Sequence, residues 1–321
     1  MRFLTTLASV AFLTAAISSG AIPGTVPQAE AQAATQKTHR FTLEDYKRRY
    51  ILYTPRGADR LAGDRPLVLV LHGGGGKDRG MVNVTKKRWN QLADQYGFYV
   101  AYPNALDGHW DFGEGKVSNG LKRRVDDLAY FDFVINDVSA RANIDQSRVF
   151  ATGISRGGQA SYFLACNMPE RIRAVMPVTM PLPDFMGNEC KKGPPVGIAI
   201  MNGTADPIVP YDGGQIKVFR KTRGLVRSTD ATVNLWRTRN QCGQRPTSTR
   251  HIDEKDDGTS VDIYDWANCR GAPVMLYRVN GGGHTWASGK QYLRERRIGK
   301  TSYEIDAADE GWKFFSRFSA R

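Results

Sequence analysis

The most constraining stretch of the chain is Val149-Phe150-Ala151-Thr152-Gly153-Ile154-Ser155-Arg156-Gly157-Gly158, where an apolar, β-branched run stops at Gly-x-Ser-x-Gly. Small, apolar and aromatic residues at helical spacing follow it: Ala160, Phe163 and Leu164. The pattern predicts a strand, a sharp turn and a helix, with a serine at the apex. Gly153 and Gly157 are expected where a Cβ would collide with the neighbouring strand or helix. The serine Oγ then points out of the sheet above a helix N-terminus. A Gly- and Ser-rich turn without chemistry matches the same short pattern, so the rest of the chain has to decide.

Strand-like and helix-like segments alternate over most of the sequence. Residues 41–43 and 50–53 read as an opening hairpin closed by Pro55, and residues 67–71 are apolar on both faces, as a central parallel strand should be. Trp89, Leu92, Ala93 and Tyr96 give a helical stripe that Gly97 stops. Residues 98–102 form the next strand, followed by a Gly- and aromatic-rich loop over 106–120. Asp126-Asp127 then favours a helix start, with Leu128, Phe131, Ile135 and Val138 as its buried stripe. After the serine turn come strands at 174–178 and 197–201, a helix near 231–240, a short strand near 261–264, a last strand at 275–279, and a closing helix carrying Ile305, Ala308, Trp312 and Phe315. Such alternation predicts an α/β fold with a mostly parallel sheet and helices on both faces. With no internal repeat or linker, residues 34–321 read as a single domain.

In open α/β sheets chemistry gathers at the carboxyl ends of strands. Past Leu71 come His72 and four glycines; past Gly153 comes Ser155; past Met201 come Asn202-Gly203-Thr204-Ala205-Asp206; past Val279 come Asn280-Gly281-Gly282-Gly283-His284. Ser155, Asp206 and His284 thus follow three different strands, and only a fold could bring them together. A serine hydroxyl is a poor nucleophile until a base takes its proton. His284 is the candidate base, and Asp206 the group that orients and stabilises its imidazole. The N–H of Arg156 and a glycine N–H in the 73–75 run, with Gly73 and Gly74 foremost, are the candidate oxyanion donors. Of the other histidines, His39 and His251 lie in polar segments, His72 is read as structural, and His109 as a loop residue able to touch substrate. Asp184 and Asp212 compete with Asp206, but Asp206 alone stands directly past a strand. Lys77 follows the glycine run, yet Asp78 and Leu71 stand where a phosphate loop needs Ser or Thr and its first glycine. The histidines lack paired ligand spacing, so neither a metal nor any other cofactor is expected.

Loops over 106–120, 181–194 and 286–298 should ring the strand ends. Trp110, Phe112 and Trp286 are the expected aromatic walls of the substrate pocket.

Residues 1–33 read as a secretory signal peptide: Arg2, a mostly apolar run over 3–17, and small residues for cleavage near 31 or 33. That places the mature protein outside the cell or in a periplasm, and no later run is long and apolar enough to span a bilayer. Four cysteines in such a chain suggest two disulfides. Three connectivities are open, and the sequential one, Cys166–Cys190 with Cys242–Cys269, closes the shortest loops. The net charge is +13. Its basic residues are scattered and not interleaved with aromatics, which favours a solvated basic surface over nucleic-acid binding.

With these residues in view, the sequence resembles the secreted polyhydroxybutyrate depolymerases and the related feruloyl and acetylxylan esterases of the α/β-hydrolase superfamily. The matching segments are Leu71-His72-Gly73-Gly74-Gly75-Gly76, Val125-Asp126-Asp127, residues 148–158, Leu164-Ala165-Cys166, residues 203–211 and Gly281-Gly282-Gly283-His284-Thr285-Trp286. The resemblance implies a serine esterase with Ser155, Asp206 and His284 as its triad, and it supports the two local disulfides. Its ester substrate would be a polyester, an oligomer or an acylated polysaccharide. Arg156 is bulkier and more charged than the Ala or Asn of many relatives, and Ala287 replaces a frequent proline. Both departures bear on acyl preference. Acyl transfer by the same triad, and a non-catalytic binding protein of the same fold, are the competing readings.

Overall fold

Glu44 and Asp45, both at positive φ (49° and 64°), turn the chain back between β1 (Thr35–Leu43) and β2 (Tyr46–Thr54), an antiparallel hairpin longer than the sequence pattern suggested. The structure is a computed structural model and describes residues 32–113 and 124–318. The expected signal peptide therefore lies almost wholly outside the described residues, as does residues 114–120 of the 106–120 loop.

After the hairpin, strands and helices alternate: β3 (Arg65–Leu71), α1 (Asp78–Val84), α2 (Arg88–Tyr96), β4 (Tyr99–Asn104), α3 (Asp127–Arg141), β5 (Ile144–Ile154), α4 (Arg156–Asn167) and β6 (Ala174–Val178). Then come α5 (Gly187–Cys190), β7 (Gly197–Gly203), β8 (Gly214–Val218), β9 (Lys221–Val226), α6 (Thr229–Arg239), β10 (Ser248–Ile252), β11 (Ser260–Trp266), β12 (Val274–Asn280), α7 (Glu295–Ile298) and α8 (Ala307–Phe315). Ten strands form one sheet in the order β1-β2-β4-β3-β5-β6-β7-β12-β11-β10. The six from β4 to β12 run parallel, and antiparallel pairs flank them on both sides.

Alternation along the strands divides the core in two. On β3, Leu67, Leu69 and Leu71 pack with Phe131 of α3, Leu164 of α4 and Trp236 of α6. Val68 and Val70 face the other way, with Trp89 and Leu92 of α2 and Phe315 of α8. A strand covered on both faces has to be apolar at every position, which is why residues 67–71 were legible as central. The helix ends follow their sequence signals. Asp126, Ser228 and Asp306 accept amide hydrogen bonds at the starts of α3, α6 and α8, and Gly97 ends α2 at φ 71°. Cys166 is bonded to Cys190, tying α4 to α5, and Cys242 to Cys269. No helix among the described residues is long and apolar enough to cross a membrane.

The sequence pattern missed the hairpin β8–β9, which forms a two-stranded sheet of its own, and the edge strand β10. Both carry polar and charged residues at most positions, so little apolar periodicity marks them.

Candidate active site

β5 delivers Ser155 into the turn before α4, with φ 57° and ψ −121°, a conformation that an L-residue adopts only under strain. The surroundings over-determine it. A Cβ on Gly157 would lie 2.1 Å from the Leu71 carbonyl oxygen, and one on Gly153 would lie 2.6 Å from that same oxygen. The Ser155 amide donates to the Val178 carbonyl at 2.9 Å, fixing the turn to the neighbouring strand β6.

The corner that holds Asp206 and His284 is built by two loops that meet backbone to backbone beyond β7 and β12. A Cβ on Gly203 would fall 2.3 Å from the Gly282 carbonyl oxygen, so only glycine lets the loops approach. The amide of Thr204 donates to the Val279 carbonyl (2.9 Å) and that of Ala205 to the Gly282 carbonyl (3.0 Å). Asp206 Oδ1 accepts from the amides of Ile208 (2.8 Å) and Val209 (2.9 Å), which turns Oδ2 toward His284 Nδ1 at 2.7 Å. Both side chains are almost fully buried. With the Nδ1 proton held by the carboxylate, the ring's lone pair is left on Nε2. The Tyr292 hydroxyl donates to the His284 carbonyl at 2.7 Å. The competing Asp184 instead faces Arg227 at 3.4 Å.

On the opposite side the glycine run after β3 curls beside the elbow. His72 Nε2 accepts from the Ala105 amide (3.0 Å), so Nδ1 carries the proton and donates to the Gly73 carbonyl (2.8 Å). Burial lowers the His72 pKa from 6.5 to about 4, which keeps this ring neutral. The amides of Gly75 and Gly76 are committed to Gly108 and Gly73 carbonyls. Those of Gly73 and Gly74 have no partner among the hydrogen bonds of the described residues. A Cβ on Gly73 would touch the Ser155 Cβ (3.4 Å), and one on Gly74 the Arg156 Cδ (3.3 Å), so both glycines adjoin the serine turn.

Ser155, His284 and the run from Gly73 to Gly76 open onto one cavity of about 410 Å³, ordinary for a small-ligand site. Its apolar wall includes Met180, Ile208, Val209, Ile216, Val218, Phe219 and Leu293, and its polar wall Lys77, His109, Arg156, Gln159 and Arg223. Four of these residues, Ile216, Val218, Phe219 and Arg223, come from β8–β9 and the turn between them. The sequence reading had no role for that segment, although the two-residue alternation of Ile216 and Val218 was present to be read.

The three aromatics expected as pocket walls do not line the cavity. Trp110 and Trp286 are 0% exposed and Phe112 4%, and the cavity wall is made without them. Trp110 packs against His72 and Phe131 and donates its Nε1–H to the His72 carbonyl at 2.9 Å, so it supports the glycine run from behind. Phe112 lies edge-on to Phe163 and under the Arg156 guanidinium, whose carbon is 4.7 Å from the ring centroid. Trp286 belongs to the second core cluster. Large aromatics near strand ends are drawn inward because burying them removes the most apolar area from water. His109 does line the cavity. Among the described residues no group of three or more His, Cys, Asp or Glu is placed to hold a metal ion.

Residues 48–179 match the family described as Esterase PHB depolymerase. A "Putative esterase NocK" of Nocardia uniformis subsp. tsuyamanensis is 28% identical over 291 residues, covering 88% of this chain and 83% of that protein. "Feruloyl esterase B" of Piromyces equi is 27% identical over 197 residues, which are 60% of this chain. The chain spans only 32% of that relative's length. Among solved structures, an acetyl xylan esterase from Aspergillus awamori superposes with a TM-score of 0.59 at 15% identity, over 87% of this chain and 99% of that one, a likeness of fold. Sheet order and superposition agree on an α/β-hydrolase fold, and over residues 48–179 the chain is similar to the Esterase PHB depolymerase family.

Proposed function

We propose that the protein hydrolyses carboxylic esters through an acyl-enzyme formed on Ser155. The observation that carries this reading is the 2.7 Å contact of His284 Nδ1 with Asp206 Oδ2, in the same cavity that receives the strained Ser155. His284 Nε2 takes the Ser155 proton as Oγ attacks the ester carbonyl, and then delivers it to the departing alcohol. Asp206 stabilises the imidazolium formed in between. The amide of Arg156, first in α4, and that of Gly74, backed by Gly73, receive the charge that develops on the carbonyl oxygen. Water then repeats the sequence and frees the acid.

The apolar cavity wall suits an aliphatic acyl chain, and the substrate read from it is a polyhydroxybutyrate-like polyester or its oligomers. A second reading, a feruloyl or acetylxylan ester on plant polysaccharide, is favoured by the names of the relatives. Two disulfides fit a mature protein that works in an oxidising compartment, after removal of the leader read over residues 1–33. The test is a hydrolysis panel of hydroxybutyrate oligomers, methyl ferulate, acetylated xylan and simple alkyl esters, run with wild type and Ser155→Ala. Turnover by wild type and its loss in the folded variant is the expected result. Equal turnover by both would overturn the assignment, and the favoured substrate decides between the two readings.

A further inference from the structure

Arg223 differs from the ion-paired arginines of the molecule. Arg48, Arg49, Arg88, Arg148, Arg227 and Arg317 each pair with an aspartate. Arg223 is half-buried in the cavity wall, and no ion pair joins it to a carboxylate among the described residues. The described residues lining that cavity include no Asp or Glu at all, while Lys77 and Arg156 line it with Arg223. Asp206 is engaged with His284 and Asp184 with Arg227, and Asp107, whose charge opposes the two arginines at His109, is exposed. His109 reports the resulting field, since its pKa is lowered by burial and then by Arg156 and Arg223. A guanidinium held in a half-enclosed apolar cleft gives up part of its hydration, and a ligand anion restores that loss best.

We propose that Arg223 forms an anion subsite that selects esters whose acid portion carries a second, ionised carboxylate at its far end. This rests on the esterase reading above and narrows its substrate class. The acyl chain lies along Ile216, Val218 and Met180, with its ester carbonyl at Ser155 and its terminal carboxylate on the Arg223 fork. Arg156 and Lys77 add a favourable field without being required to touch the anion.

The experiment compares monomethyl succinate, glutarate and adipate with the neutral methyl esters of equal chain length, following methanol release by wild type, Arg223→Gln and Arg223→Lys. The expected result is a higher kcat/KM for at least one anionic ester than for its neutral counterpart. In Arg223→Gln that ratio should fall about tenfold, chiefly through KM, the scale of one lost charge-assisted hydrogen bond. Arg223→Lys should recover part of it, and added salt should shrink the wild-type preference. A wild type that hydrolyses both series with no anionic preference, or a ratio unmoved in Arg223→Gln, overturns the subsite. Failure of wild type on every ester in both series would instead strike the esterase reading itself.

Discussion

The corner that holds Asp206 and His284 and the cavity rim sit a few residues apart and are held by different physics. At the corner, Gly203 and Gly282 bring two backbones into direct contact, carbonyl and amide groups pair across the gap, and the Asp206 and His284 side chains are almost fully buried. At the rim, β8 and β9 form a two-stranded ribbon outside the main sheet, with Phe219 57% exposed at its turn and Leu225 53% exposed. Arg297 of α7 sits over the Phe219 ring at 5.3 Å, a contact worth about 0.5–1 kcal/mol at such an exposed site. A ribbon of two strands is marginal by itself. The corner is fixed by backbone contacts, whereas the rim depends on side chains of a ribbon outside the main sheet.

Substitutions should separate the two regions sharply. The largest effect is expected from His284→Ala, which should lower kcat by about 10⁴ or more while leaving the melting transition near that of wild type. A smaller loss would move the base to another residue. Gly157→Ala comes next, because its new Cβ would meet backbone rather than a flexible side chain. It should destabilise by about 3 kcal/mol or more, read by chemical denaturation, and an unchanged midpoint would show that the elbow can relax. Trp110→Phe keeps an aromatic in place but removes the Nε1–H donor to the buried His72 carbonyl. We expect kcat to fall about tenfold with little change in KM. A rise in KM alone would mean that Trp110 touches substrate after all.

The pH response of stability tests the same side of the site. His72 is lowered by burial to about 4 from 6.5, so the unfolded chain takes up this proton first as pH falls. Its contribution is complete above about pH 6.5 and is lost progressively down to about 4, reaching about 3 kcal/mol. Denaturation midpoints measured across that window should slope in wild type and flatten in His72→Gln. The smallest effect belongs to the rim: Phe219→Ala should shift stability by about 1 kcal/mol or less, and its consequence should appear in KM for long acyl chains. A large loss of stability there would erase the contrast between corner and rim.

Much of this molecule was legible from its residues, for identifiable reasons. The central strands read clearly because burial on both faces forces the middles of β3, β6 and β7 to be apolar. The serine turn read clearly because two glycines are demanded by backbone contacts that no other residue survives. The cavity wall did not. Trp110, Phe112 and Trp286 sit in the right loops by sequence, yet whether a loop aromatic faces inward or outward depends on which surface lies behind it. Trp110 turns inward because the His72 carbonyl and the Phe131 ring wait there.

The sequence by itself determined the parallel sheet, the strained serine and the strand-end positions of an aspartate and a histidine, because each is written in local periodicity or in a glycine that tolerates no side chain. Only the tertiary structure decided that Asp206 meets His284, that the Gly73 and Gly74 amides are the ones left open, and that a polar ribbon supplies the cavity wall and its arginine. Those outcomes depend on contacts between residues far apart in the chain, whose partners are set when the sheet closes and not before.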